Sequence, residues 1–214
     1  LLSSTWGDMS GAKRVGEVFI EAEIDAAQRL GVEVVQIDDG WQRGLLPRGE
    51  PAFLAGLWKA DPNFWHPHPE RLPRGLGPFA RKARTMGMRL GLWFVPDWWN
   101  DNANWRRDAD RVMELFSTLG IEHFKVDSVQ TLTRTAAINS QRFFKAVMDE
   151  SHGQVVFDLD VTAGIRPGYF GAMEIGPLFV ENRYTDWHNY WPHQTLRNLW
   201  KLSRWVDPRR LRME

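Results

Sequence analysis

Apolar and polar positions alternate in Ile121-Glu122-His123-Phe124-Lys125-Val126-Asp127-Ser128. Phe124 and Val126 fall on one face, and His123, Lys125 and Asp127 on the other, so the stretch predicts a strand with an apolar back and a charged front. Buried charges at a strand's carboxyl end are costly unless that end opens onto a polar pocket. Catalytic residues occupy that position at the top of an α/β barrel.

The same unit recurs along the chain. Leu1 to Asp8 predicts a short strand ending in Thr5-Trp6-Gly7-Asp8, and a helix follows over about 14–30, with Phe19, Ala22, Ala26 and Leu30 on one side. Gly31 suits the end of that helix. The β-branched run Val32 to Ile37 then leads into Asp38-Asp39-Gly40-Trp41. A Pro-rich loop over 42–73 precedes a helix near 75–86 and a strand over 88–96, which ends in Asp97-Trp98-Trp99. Helices over about 104–119 and 135–151 bracket the strand described first. A fifth strand over 154–160 ends in Asp158-Leu159-Asp160, and a sixth over 178–184 ends in Thr185-Asp186-Trp187 before a helix near 192–206.

Strands alternating with helices predict a parallel sheet. Acids stand at the carboxyl ends of all six strands: Asp8, Asp38 and Asp39, Asp97, Asp127, Asp160 and Asp186. In a doubly wound sheet they would gather at one switch point, whereas in a barrel every strand tip faces one mouth. The expected fold is therefore a (β/α)8 TIM-type barrel. Six units are legible, with Leu211 to Glu214 as a possible start of a seventh. The expectation is one catalytic barrel domain over residues 1–214, incomplete at its C-terminus and lacking its last two units.

Composition narrows the partners. The 27 basic and 27 acidic residues cancel, which gives no reason to expect nucleic acid or an anionic membrane. With no cysteine, disulfides and thiolate metal sites are excluded. No apolar run reaches membrane-spanning length and no signal peptide opens the sequence, so localisation stays open. A homo-oligomer is possible. The 12 tryptophans against 3 tyrosines suggest that some line a cleft for flat, partly apolar ligands such as sugar rings.

The chemistry centres on two acids. Asp127 and Asp186, from the fourth and sixth strands, suit glycoside cleavage, in which one carboxylate attacks the anomeric carbon and the other protonates the leaving oxygen. Lys125 shares a face with Asp127 and would help keep it ionised. Arg183 could pair with a carboxylate or hold a ligand hydroxyl. Adjacent Asp38 and Asp39 repel each other, and one reason for them to coexist is to chelate neighbouring sugar hydroxyls, with Trp41 as an apolar wall. Helix capping is the alternative, and a divalent cation site lacks a third ligand at fixed spacing. His66 and His68 each precede a proline, which favours extended backbone over a rigid ligand face. His123 reads as a hydrogen-bonded core residue. Neither a metal nor a cofactor is expected.

Ile37-Asp38-Asp39-Gly40-Trp41, Gly91-Leu92-Trp93-Phe94-Val95-Pro96, Lys125-Val126-Asp127 and Tyr184-Thr185-Asp186 stand in the order seen in α-galactosidases of glycoside hydrolase family 36, which the chain resembles over nearly its whole length. The resemblance implies a retaining, metal-independent α-galactosidase acting on α-galactoside oligosaccharides. It makes Asp127 the nucleophile and Asp186 the acid/base, with Asp38 and Asp39 on the C4 and C6 hydroxyls. Lys125 would contact the sugar beside the nucleophile, and Trp6 and Trp93 would line the galactose pocket. Asp160 begins the segment that stands where the family's Cys-Ser-Gly-rich run borders the C2 substituent. Transglycosylation of the raffinose-synthase kind, α-N-acetylgalactosaminide hydrolysis and a non-catalytic carbohydrate-binding barrel are the alternatives.

Overall fold

A computed structural model describes residues 1–8, 11–44, 54–129, 131–160, 175–180 and 192–213. Among these residues, seven strands form one parallel sheet in sequential order: β1 Leu2–Ser4, β2 Val34–Ile37, β3 Arg89–Phe94, β4 His123–Val126, β5 Val156–Asp160, β6 Leu178–Val180 and β7 Leu211–Met213. Leu211 to Met213 thus do begin a seventh strand, paired in parallel with β6. The first strand is shorter than expected, because Thr5–Asp8 turns into a 3-10 helix.

The sheet is curled. Strands two apart in a flat sheet lie roughly 10 Å from each other, yet Lys125 on β4 reaches Asp38 after β2 at 3.1 Å. Likewise, Arg212 on β7 meets Asp158 on β5 at 2.9 Å. Inward curvature, as in a barrel, turns such side chains toward each other. Gly91 is part of the reason it can close up: a Cβ there would stand 3.1 Å from the His123 ring.

Strand periodicity sorts the side chains. Val35, Ile37, Leu90, Leu92, Phe94, Phe124, Val126, Phe157 and Leu159 join the apolar core between sheet and helices. The alternate positions Gln36, His123, Lys125, Asp158 and Asp160 are buried polar residues facing the interior of the curl. The helices between the strands are α1 Glu17–Arg29, α2 Leu57–Ala60, α3 Gly77–Thr85, the short turn α4 Trp99–Asn102, α5 Trp105–Leu119, α6 Arg134–Glu150 and α7 Pro192–Leu202. On α1 the face expected from Phe19, Ala22, Ala26 and Leu30 is not the buried one. Ile20, Ile24 and Ala27 are buried instead, and Leu30 is exposed. The isoleucines fill the groove against the sheet, worth about 1.5–3 kcal/mol each, while Phe19 lies under the Arg14 guanidinium at 4.8 Å. On α6, Thr133 caps the N-terminus by accepting from the Ala136 N–H at 3.0 Å, and α5 stops at Gly120, which takes the left-handed conformation that favours glycine there.

Candidate active site

Part of the polar lining of the curl gathers at the carboxyl ends of β1 to β5. Asp38 ends β2, and its backbone N–H donates to Thr5 Oγ1 at 2.9 Å. One carboxylate oxygen, Oδ1, accepts from the Asp39 N–H at 2.8 Å. The other, Oδ2, accepts from Lys125 Nζ at 3.1 Å, Gln36 Nε2 at 3.2 Å and Ser4 Oγ at 3.5 Å. The adjacent acids are therefore parted: Asp38 turns to the lysine, and Asp39 Oδ1 accepts from Gln42 Nε2 at 2.7 Å. Gly40 makes this turn possible, since with φ +118° a Cβ would meet Ala12 at 2.9 Å.

Lys125 is the central cation. Its ammonium lies 3.1 Å from Asp38 and 3.8 Å from Asp160 on β5, and all three side chains are at most 4% exposed. Buried charges persist only when paired and hydrogen-bonded, and one ammonium here serves two carboxylates.

Asp127 stands one step further along β4, half-buried, with its N–H on the Phe94 carbonyl at 3.1 Å. Its Oδ2 accepts from the Trp93 indole N–H at 3.2 Å, and its Oδ1 from Ser128 Oγ at 2.9 Å. Trp93 is fixed from behind: its carbonyl accepts from Trp41 Nε1 at 2.9 Å, and its ring lies 5.8 Å from that of Trp65. The expected wall, Trp41, is accordingly a core residue, fully buried and tilted against Trp65. It bears on the site through the strand that carries Trp93. Trp6, on the 3-10 turn after β1, is partly exposed, and its backbone N–H donates to Ser4 Oγ at 3.4 Å.

One expected acid sits elsewhere. Asp97 is fully buried and organises loops, accepting from the N–H groups of Gly56 and Trp99 and from Asn104 Nδ2. Asp158, deeper on β5, binds His123 Nε2 at 2.6 Å and Arg212 Nη1 at 2.9 Å; His123 is thus the hydrogen-bonded interior residue its depth on the strand suggests. Asp186 and Arg183 lie outside the described residues, as does the segment after Asp160. Sequence reasoning missed Ser4, Gln36 and Ser128. Gln36 was within reach of it, standing two residues before Asp38 on the same strand face. Among the described residues no group of three or more His, Asp or Glu side chains is placed to hold a metal ion, and no helix is long and apolar enough to cross a membrane.

A parallel, curled β/α sheet that brings acids, an ammonium and an indole to the carboxyl ends of its strands has the active-site face of a barrel enzyme. The melibiase family model matches residues 17–155, and the chain belongs to that family. Over 74 residues, 35% of this chain, it is 34% identical to the α-galactosidase Mel36A of Lactobacillus acidophilus, of which the matched stretch is 9%. Its fold is similar to that of α-galactosidase I from Mortierella vinacea, with TM-score 0.58 and 18% identity over 85% of this chain and 45% of that one. It is also similar to a variant of the family 36 α-galactosidase AgaA from Geobacillus stearothermophilus, solved in complex with raffinose. There the TM-score is 0.54 with 16% identity, over 75% of this chain and 27% of that one. The chain thus spans about a tenth of the length of that curated relative, and less than half of either solved chain.

Proposed function

We propose that this chain carries the catalytic barrel of a glycosidase that releases terminal α-linked galactose with retention of configuration. The observation that carries this reading is Asp127: a half-buried carboxylate at a strand tip, with an indole N–H on one oxygen and a hydroxyl on the other. Two donors fix the plane of the carboxylate, as attack on an anomeric carbon requires. Membership of the melibiase family and the raffinose held by a family 36 relative support α-galactoside oligosaccharides as the substrate class.

The reaction is a double displacement. Asp127 attacks C1 while Asp186 passes a proton to the departing glycosidic oxygen. Asp186 then takes a proton from water, whose oxygen displaces Asp127 from C1. Asp38 and Asp39 accept from the C4 and C6 hydroxyls, and Lys125 contacts the sugar beside the nucleophile. Trp6 and Trp93 face the ring, with Trp41 behind Trp93. Asp160 borders the C2 side, and Arg183 binds a hydroxyl or a carboxylate. The chain's own carboxylates supply all of this chemistry, and neither a metal nor a cofactor enters.

Asp127→Asn tests the reading. Turnover of an aryl α-galactoside is expected to fall by about 10⁴-fold or more, with galactose binding retained. A variant that keeps a near-parental rate removes Asp127 from the nucleophile's role.

A further inference from the structure

The residue after Asp127 carries an inference that rests on the function proposed above. Among the described residues, five that are not glycine have a left-handed backbone: Asn100, Asp101, Asn102, Ser128 and His152. Asn, Asp and His tolerate that region better than other side chains, and serine is the exception in the group. Ser128, at φ +53°, forms the turn out of β4 and is held on two sides. Its carbonyl accepts from the Trp98 indole N–H at 2.5 Å, and its hydroxyl donates to Asp127 Oδ1 at 2.9 Å. In a continued strand the side chain of residue 128 would point to the face opposite Asp127. The left-handed turn instead folds it back onto the carboxylate. Backbone strain that the surroundings enforce in this way is characteristic of functional positions.

Two donors to Asp127, Trp93 and Ser128, differ in kind. Trp93 Nε1 belongs to a ring fixed against Trp65, whereas the Ser128 hydroxyl turns about a single bond and can follow the carboxylate. We propose that Ser128 is a positioning residue that assists the second half of the double displacement. In the first half an Asp127 oxygen bonds to C1 and the bond from C1 to the aglycone breaks. The departing oxygen takes the electron pair and the proton of the acid/base, and Asp127 gives up its charge. In the second half the oxygen of water bonds to C1 and the bond from C1 to Asp127 breaks. The electron pair then returns to the carboxylate, and the proton from water goes to the acid/base. A hydrogen bond to a carboxylate strengthens as charge develops on it. The Ser128 donor therefore stabilises Asp127 as it leaves C1. In the first half it restrains the attacking oxygen about as much as it orients it.

Ser128→Gly in the full chain deletes the hydroxyl and keeps the left-handed turn without steric cost. On an aryl α-galactoside with a strongly activated leaving group, kcat is expected to fall about tenfold and KM with it, leaving kcat/KM within about threefold of the parent. The galactosyl-protein then accumulates, seen as a burst of aryl alcohol and as one added galactosyl unit in the mass of the intact chain. Ser128→Thr keeps the hydroxyl, at some loss of stability, and is expected to recover most of kcat. Unchanged kcat and KM in Ser128→Gly, or kcat/KM falling as far as kcat, overturns the proposal. Asp127→Asn measured alongside separates the two readings. If it turns over, the nucleophile assignment fails; if it is inert while Ser128→Gly behaves like the parent, only the role of Ser128 fails.

Discussion

Two charged clusters lie two residues apart on the same pair of strands, and they are built in opposite senses. Nearer the mouth, one ammonium, Lys125, stands between two carboxylates, Asp38 and Asp160. Deeper in the curl, one carboxylate, Asp158, stands between an imidazole and a guanidinium, His123 and Arg212. Burial does not distinguish them, because five of the six side chains are at most 4% exposed and only Arg212 is more open. Charge balance and connectivity do. The deeper cluster links β4, β5 and β7 as a structural strap, with one carboxylate oxygen answering two basic side chains. The upper one sets two carboxylates about one ammonium at the end where Asp127 stands. Interior-facing polar residues of the same two strands thus serve at the strand tips in one cluster and tie strands together in the other.

Removing the shared cation should break this comparison most sharply. Lys125→Met takes the shared cation away from Asp38 and Asp160, a loss of about 3–5 kcal/mol, and turnover should disappear with it. Chemical denaturation and an aryl α-galactoside assay measure the two together. Parental stability would show that the three groups do not act as a unit.

Asp158→Asn makes the converse case at smaller cost. It should lower stability by about 1–3 kcal/mol, at the lower end because the Arg212 side chain is 35% exposed. Its kcat should stay within about threefold of the parent. A collapse of kcat at unchanged stability would move the deeper cluster into the site.

Asp108 supplies a third kind of buried acid, held by N–H groups. It accepts from Trp58 Nε1 at 2.8 Å and from the Asp97 N–H at 3.1 Å. Burial dominates and pushes its carboxyl up to about 8. The folded chain therefore favours the neutral acid. Stability from this group is complete below its unfolded value, near 4, and is lost as pH rises through about 8. Asp108→Asn, which cannot ionise, should flatten the decline in stability between about pH 6 and pH 9, whatever its level at neutral pH. Denaturation midpoints at both pH values test this, and a slope equal to the parent's would show that Asp108 titrates at an ordinary value.

The pattern of the chain made the parallel alternation readable, because alternate residues of each strand face different environments: Phe124 and Val126 go to the helices, Lys125 and Asp127 to the mouth. The same logic failed on α1, where the apolar residues outnumber one helical face and only packing selects Ile20 and Ile24 over Phe19 and Leu30. It gave Asp97 the same standing as Asp38, since both end a strand, yet Asp97 is enclosed by loop N–H groups. Trp41 read as a wall because it adjoins Asp39, whereas its indole is needed in the core to fix Trp93. Ser128 left no trace in the pattern at all, because a left-handed turn reverses the direction that strand alternation assigns.

By itself, the order of residues determined the strand–helix alternation, the polar inward face of each strand, and which acids reach a strand tip. Those are consequences of local periodicity, carried by neighbours in the chain. Only the tertiary structure decided that Lys125 is shared by Asp38 and Asp160, that Asp158 ties β4 to β7, and that Trp93 and Ser128 hold opposite oxygens of Asp127. Each of those pairings depends on how far the sheet curls and where its turns reverse, and distance in space is not written in the spacing of residues along the chain.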